Sequence, residues 1–394
     1  MLVVISLTGA YAADKGAPPK VSAATAILMD AATGTVLYEK ASHARRPPAS
    51  TTKMMTAIIA LERGNLNDVV TASVYASKTP YGNLHVKPGE KFTLRDLLYA
   101  LMMRSANDAA VCIAEHVAGS EKEFVALMNE KAKEIGAKDT HFVNPHGLHA
   151  KGHYSSAYDL ALIARYATSI PEFNEIVATK HKRIDRSISK LDVTLRNTGR
   201  LLWRFDGADG IKTGYTKEAG HCFVGAATRN GWRLVSVVLK SGNTMDDTIA
   251  LLDHGFKNYK LVCFARKGQV AAKLPVRGGV EPSVDLIAVD NLGKIVRIDA
   301  RVETKFEVDN RRATAPIEEG EKLCTLTGYI NGDKLGEVAL VAAAGVDRTF
   351  MFGLWIWTRN LLVILLLGLA VFLAYGTAVA KVARRRRRSV TARG

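Results

Sequence analysis

Only four cysteines occur in the 394-residue sequence, Cys112, Cys222, Cys263 and Cys324, and no two stand in a CxxC or other tight spacing. That leaves metal and redox motifs with little support and excludes a disulfide-stapled scaffold. Free buried thiols are the expected state for so sparse a set. The sequence has no internal repeat and no long low-complexity stretch. Apolar residues make up 48% and charged residues 23%, an average globular balance that excludes a wholly disordered or collagen-like chain. Three local absences also inform. No Lys or Arg precedes Lys15, no acidic residue occurs in the last fourteen positions, and no charge of either sign occurs between Leu361 and Ala380.

The charge that is present is mostly positive, 54 Lys and Arg against 38 Asp and Glu. Such a surplus suits an anionic neighbourhood: a membrane face, a wall polymer or nucleic acid. The chain ends narrow the choice. Leu2–Leu7 is apolar and Ala10-Tyr11-Ala12 fits a small-residue cleavage site, so residues 1–12 read as a signal-peptide remnant that lacks its basic start. Residues 13–22 read as a linker. Near the other end, the twenty uncharged residues from Leu361 span about 30 Å of hydrocarbon as a helix. Trp355 and Trp357 precede them as an interfacial belt, and Arg384–Arg388 follow. Residues 350–380 are therefore expected to be an interfacial segment plus a transmembrane helix, with 381–394 a basic cytoplasmic tail. The arginine run is then a topology anchor on anionic lipid, and no nucleic-acid partner is expected. The protein is placed at the cell membrane, single-pass near its C-terminus, with everything before the span outside the cytoplasm, in a periplasm or on an outer face.

Between the ends, periodicity divides the chain. Ala24–Met29 and Thr35–Tyr38 flank a turn sequence and predict a hairpin. Helical spacing follows over Ser50–Leu61, Leu94–Met103, Ala106–Ala118, Glu121–Ile135 and Ser156–Tyr166. Gly220–Thr228 and Trp232–Leu239 enclose Asn230-Gly231, a second hairpin, and Thr248–Tyr259 is helical again. The fold class is α+β, an antiparallel sheet with helices packed on it and a separate helical lobe, over residues 23–262. Residues 268–346 lose helical spacing and read as a small all-β domain. Trp203, Trp232, Met102 and Met103 are expected in the core.

Three short motifs carry the chemistry. Ser50-Thr51-Thr52-Lys53 places a hydroxyl and an amine three residues apart at a helix start, where they can meet. A serine needs a base, and Lys53 can be one if burial or a cationic neighbour such as Lys212 lowers its pKa. Ser105 sits on a loop opening the next helix and can relay a proton to a leaving amine. Asn107 offers donor and acceptor to a substrate amide. Lys212 and Thr213, placed at the start of a strand, suit a substrate carboxylate, and Gly214 lets a substrate backbone approach. Each motif alone is weak, because Ser187–Lys190 is a second SxxK, Ser241–Asn243 a second SxN, and Lys240-Ser241-Gly242 resembles KTG. Only the first set has the right order and context. His146 reads as a loop-shaping residue in a Pro/Gly turn rather than a catalyst.

In that order the motifs match those of active-site serine penicillin-interacting enzymes. Pro48–Ala57, Ser105–Ala110, Asp209–Thr216 and His141–Leu148 with Tyr154–Ala157 resemble the low-molecular-mass penicillin-binding proteins, the serine-type D-alanyl-D-alanine carboxypeptidases of peptidase family S11. The β domain, with Ala315–Gly320, is similar to that family's C-terminal domain. The resemblance covers residues 23–346. It implies a β-lactamase/DD-peptidase-like sheet and helical lobe. It also implies attack by Ser50 on the penultimate D-alanine of peptidoglycan pentapeptide stems, with an oxyanion held by the amides of Ser50 and Tyr215. β-Lactams become covalent inhibitors, and no metal or organic cofactor is implied. Ser50, Lys53 and Ser105 take catalytic roles, and Asn107, Lys212, Thr213, Gly214 and Tyr215 bind substrate. The alternatives are a β-lactamase-like hydrolase using Glu172 or Glu175 for deacylation, or a catalytically silent wall-binding scaffold. Family members often end in an amphipathic helix on the membrane, whereas this one reads as spanning.

Overall fold

The structure, a computed structural model, describes residues 18–81, 84–308 and 312–391. The expected signal remnant at 1–12, the first five linker residues and the last three residues of the tail lie outside them. The described chain forms two compact units, one of residues up to 261 with 295–300, the other of 262–294 with 301 onward.

A five-stranded antiparallel sheet organises the first unit. Its spatial order is Val36–Lys40, Thr25–Asp30, Trp232–Ser241, Gly220–Arg229 and Ala208–Thr216. Both hairpins expected from turn chemistry are present. In the first, the Asp30 carboxylate accepts from the Thr33 amide at 2.6 Å and from the Trp232 indole at 2.8 Å, tying turn to neighbouring strand. In the second, Asn230 and Gly231 both have positive φ, 51° and 70°, and Arg229 pairs with Trp232 across them. The sheet's central strands are buried on both faces, so they read as continuous Val, Ala and Leu.

Helices Lys53–Arg63, Leu94–Tyr99, Asn107–Ala118, Glu121–Ile135 and Ala157–Ala167 build the lobe. Thr93, Ser120 and Ser156 cap three of them by accepting from the amide three residues on. Ile58, Leu97, Ile113, Phe124, Leu160 and Ile163 meet in one core with the sheet residues Ile27 and Val235. Each such side chain contributes about 1.5–3 kcal/mol by leaving water.

The second unit holds a six-stranded sheet in the order Thr304–Val308, Lys322–Ile330, Asp333–Ala342, Ser283–Ala288, Val270–Arg277 and Ala313–Thr314. Only the last pairing is parallel. Leu274, Leu286, Leu326 and Leu340 fill its core. The helix Phe350–Thr391 follows, and its segment Phe350–Tyr375 is unburied, has a mean hydropathy of 2.1, and is long and apolar enough to cross a membrane.

Several expectations change in detail. Ser50 lies in a single 3-10 turn, Ala49–Thr52, ahead of the α-helix, because the Thr51 and Thr52 hydroxyls bond the carbonyls of Pro48 and Ala49. The helix expected to Met103 is α only to Tyr99 and widens into a π turn at Ala100–Arg104. The last strand starts at Ala208, so Lys212 and Thr213 sit mid-strand rather than at its beginning. The helix expected at Thr248 starts at Thr244, since Asn243 caps it. Trp203 is not core but 39% exposed, and Cys263 is exposed while the other three cysteines are buried.

Candidate active site

Two left-handed residues frame the cleft. Ala49 has φ 49° and Ser105 φ 62°, a conformation costing an ordinary residue about 1–2 kcal/mol. Ala49 turns the chain so that Ser50 leads the helix. Ser105 ends the π turn and opens the helix Asn107–Ala118.

Lys53 joins the motifs. Its side chain is fully buried, with Nζ 3.0 Å from Ser50 Oγ, 2.7 Å from Asn107 Oδ1 and 2.5 Å from the His146 carbonyl. Burial holds its pKa well below the usual lysine value, the Lys212 charge lowers it further, and Asp108 opposes them. Lys212 is also buried, which brings its own pKa to about 7, and its Nζ donates to the Thr213 carbonyl at 2.8 Å. Gly214 abuts the turn bearing Ser50: a Cβ there would stand 2.9 Å from Ser50 N. The strand Ala208–Thr216 is the sheet's edge, so the cleft lies where pairing stops.

The remaining motif residues are placed differently. Asn107 donates both amide hydrogens to loop carbonyls, to Pro80 at 2.8 Å and to Tyr81, so donation to a substrate requires one of these bonds to open. Among the described residues, the Ser105 hydroxyl has no hydrogen-bond partner and does not reach Ser50 or Lys53 in this state. Thr213 is half-buried. Tyr215 is 61% exposed, its ring 4.5 Å from that of His221.

Sequence reasoning read the loop around His146 as a turn but missed that its carbonyls hold this cluster. The Pro145 carbonyl accepts from Thr56 at 2.5 Å, beside the bond from Lys53 to His146. A Cβ on Gly147, at φ 87°, would lie 1.9 Å from the Ala49 carbonyl oxygen, so only glycine fits. His153 Nδ1 accepts from the Val143 amide at 3.0 Å. The ring hydrogen is therefore on Nε2, which donates to Thr52 Oγ1 at 2.9 Å, and Thr52 donates to the Ala49 carbonyl. Burial lowers His153 to about 4, helped by the charges of His141 and His149. Burial likewise lowers His146 to about 3, helped by Lys53. Both rings stay neutral at ordinary pH, and His146 contributes its carbonyl, in keeping with a loop-shaping role. The signal available was the Pro-His-Gly turn itself, but carbonyl acceptors leave no residue-type trace.

The duplicate motifs are structural. Ser187 Oγ accepts from the Lys91 amide and Ser189 N donates to Glu90. Ser241 donates to the Asp247 carboxylate ahead of the Asn243 cap. Glu175 accepts from the Tyr99 hydroxyl at 2.7 Å. Among the described residues, no group of three or more His, Cys, Asp or Glu could hold a metal ion.

Comparison with known proteins gives concordant matches. The family profile for D-alanyl-D-alanine carboxypeptidase, Peptidase S11, matches residues 12–243, and that for the penicillin-binding protein 5 C-terminal domain matches 259–348. The chain is 34% identical over 339 residues to D-alanyl-D-alanine carboxypeptidase DacF of Bacillus subtilis, covering 83% of this chain and 86% of that one. It is 30% identical over 373 residues to DacD of Escherichia coli, covering 89% and 95%. Among solved structures, penicillin binding protein 5 from Haemophilus influenzae superposes with a TM-score of 0.64 at 28% identity, covering 84% of this chain and all of the other.

Proposed function

The chain belongs to the D-alanyl-D-alanine carboxypeptidases of peptidase family S11 and is a serine-type hydrolase of that kind, and from this we propose that Ser50 is its nucleophile and Lys53 its base. Its substrates are peptidoglycan stems, and β-lactams bind at the same site. The observation that carries the assignment is the coordination of Lys53. A neutral amine has two hydrogens and one lone pair. Asn107 Oδ1 and the His146 carbonyl take the hydrogens, which leaves the lone pair for the Ser50 hydroxyl at 3.0 Å.

Ser50 Oγ attacks the penultimate D-alanine carbonyl as its proton passes to Lys53. The amides of Ser50 and Tyr215 hold the oxyanion, a donor of this kind being worth about 3 kcal/mol. The C–N bond breaks, and, once Ser105 turns to reach Lys53, the proton returns from Lys53 through its hydroxyl to the departing D-alanine amine. Lys212 and Thr213 hold the terminal carboxylate, and Asn107 orients the substrate amide once its loop bonds open. Water then attacks the ester, giving its proton to Lys53, which passes it to Ser50 Oγ as the ester C–O bond breaks, restoring the serine and the neutral amine. A β-lactam presents a strained amide beside a carboxylate and acylates the same oxygen.

We place the apolar helix across the membrane with Arg384–Arg388 in the cytoplasm and residues 23–346 outside. The test of the reaction is D-alanine release by the full chain in detergent from a peptide ending in D-Ala-D-Ala. Release that disappears in Ser50→Ala supports the proposal. Rapid penicillin turnover without D-alanine release would replace it with a β-lactamase, and neither activity would leave a scaffold.

A further inference from the structure

A second constellation stands apart from the residues assigned above. The hairpin His181–Arg183 and Thr194–Arg196 and the short helix Leu201–Arg204 carry it. Trp203 leaves 39% of its surface in water. The Lys180 ammonium lies 5.9 Å and the Arg196 guanidinium 5.5 Å from its ring centroid. His181 meets the ring edge-on at 6.4 Å and pairs with Arg196 across the hairpin. Residues 180–204 hold eight Lys and Arg against two Asp. Of these, Asp192 is paired with Arg104, and Arg186 is paired with Glu90. The patch is thus a partly exposed indole with two cations over its ring, neither of them in an ion pair among the described residues.

This patch is fixed to the cleft. Thr198 donates to the Met103 carbonyl through both its amide, at 3.0 Å, and its hydroxyl, at 3.2 Å. Met103 precedes Ser105 by two residues. Asn197 ties the same loop to the carbonyls of Val177 and Thr179, and Lys182 lies 4.5 Å over the Tyr99 ring. The hairpin therefore moves with the Ser105 turn.

We propose that Trp203, Lys180, His181 and Arg196 form an auxiliary subsite for the carbohydrate strand of the polymeric substrate. The inference rests on the peptidoglycan reading above. The part of the indole left in water offers the C–H side of a pyranose ring an apolar surface, and the cations over the ring meet the carboxylates of neighbouring stems on that strand. Holding the strand here raises the local concentration of stems at the cleft.

The test compares two substrates with the full chain in detergent: a soluble peptide ending in D-Ala-D-Ala, and soluble peptidoglycan strands bearing intact pentapeptide stems. Trp203→Ala should raise KM for the strands roughly three- to tenfold and leave the peptide's kcat/KM within about twofold. Lys180→Glu with Arg196→Glu keeps the indole and should act in the same direction. Strands stripped of their stems should compete with the polymer for the parent protein and lose that competition in Trp203→Ala. Unchanged polymer KM in both variants overturns the proposal. So does equal competition by polyglutamate, which would make the patch a charge sink without carbohydrate recognition. If the parent protein releases no D-alanine from the soluble peptide, the carboxypeptidase reading fails instead, and retention of stem-free strands by the parent but not by Trp203→Ala still judges the subsite.

Discussion

Gly214→Ala tests the contact between the edge strand and the nucleophile turn. The new methyl would lie 2.9 Å from Ser50 N, 3.1 Å from Ala49 Cβ and 3.2 Å from Thr51 N. None of these atoms can swing away by a side-chain rotation. The closest approach is about 0.5 Å inside ordinary contact, so strand and turn must part by about that distance. Gly214 has no positive φ, so alanine suits its backbone and the effect falls on the turn. Removing one oxyanion donor outright costs about 10²–10³ in rate. Displacing the Ser50 amide by half an ångström should cost part of that, about ten- to a hundredfold in acylation. Overpacking should also cost about 1–3 kcal/mol of stability. Stopped-flow acylation by a fluorescent penicillin, D-alanine release and a thermal melt measure the three quantities. A folded variant that acylates within twofold of the parent would refute the reasoning.

Three further outcomes follow from the charges around the cleft. Lys53→Met keeps the volume and removes the base, and should slow acylation about 10²–10⁴-fold with the fold retained by circular dichroism; near-parent acylation would remove Lys53 from its role. Lys212 loses its charge in the free enzyme as pH rises through about 7, so KM for the carboxylate-ended peptide should climb above that pH, and Lys212→Gln should erase this alkaline limb in a KM profile. His153 titrates near 6.5 unfolded and about 4 folded, so the unfolded chain binds more protons and stability is lost as pH falls from about 6.5 to about 4. The loss is on the order of 3 kcal/mol for this group, and His153→Gln should flatten the pH dependence of urea unfolding by that amount. Parallel curves for parent and variant would defeat the assignment.

Legibility in the sequence followed what side-chain type encodes. The hairpins were readable because Asn-Gly and the Asp-to-Gly turn demand specific backbone geometry. The lobe helices were readable from apolar spacing, and the caps Thr93, Ser120 and Ser156 that fix their starts went unused. The helix Pro171–Ala178 was not read, although Pro171 at its first position and Phe173, Ile176 and Val177 on one stripe signal it. The strand through Lys212 was started late because Ala-Asp-Gly looks like a turn, yet pairing with Gly220–Arg229 extends it. Ser50, Lys53 and Asn107 could be matched by motif, and the structure joins them through one amine. The acceptors that hold Lys53, Thr56 and Asn107 in place were hidden for a plain reason. The carbonyls of Pro145, His146, Pro80 and Tyr81 belong to the backbone and have no composition. Trp203 was read as core because large aromatics usually are, and only the hairpin's geometry exposes it.

The unpaired border of the sheet has a consequence for which molecules the cleft can admit. An open border normally invites another polypeptide to zip alongside it, residue after residue. Here the turn bearing Ser50 presses on Gly214 and interrupts that border within one strand's length. A strand laid along this border would meet that turn at Gly214. On the mechanism proposed above, the same crowding favours a short chain end over a long peptide by shape alone, before any recognition of D-configured residues.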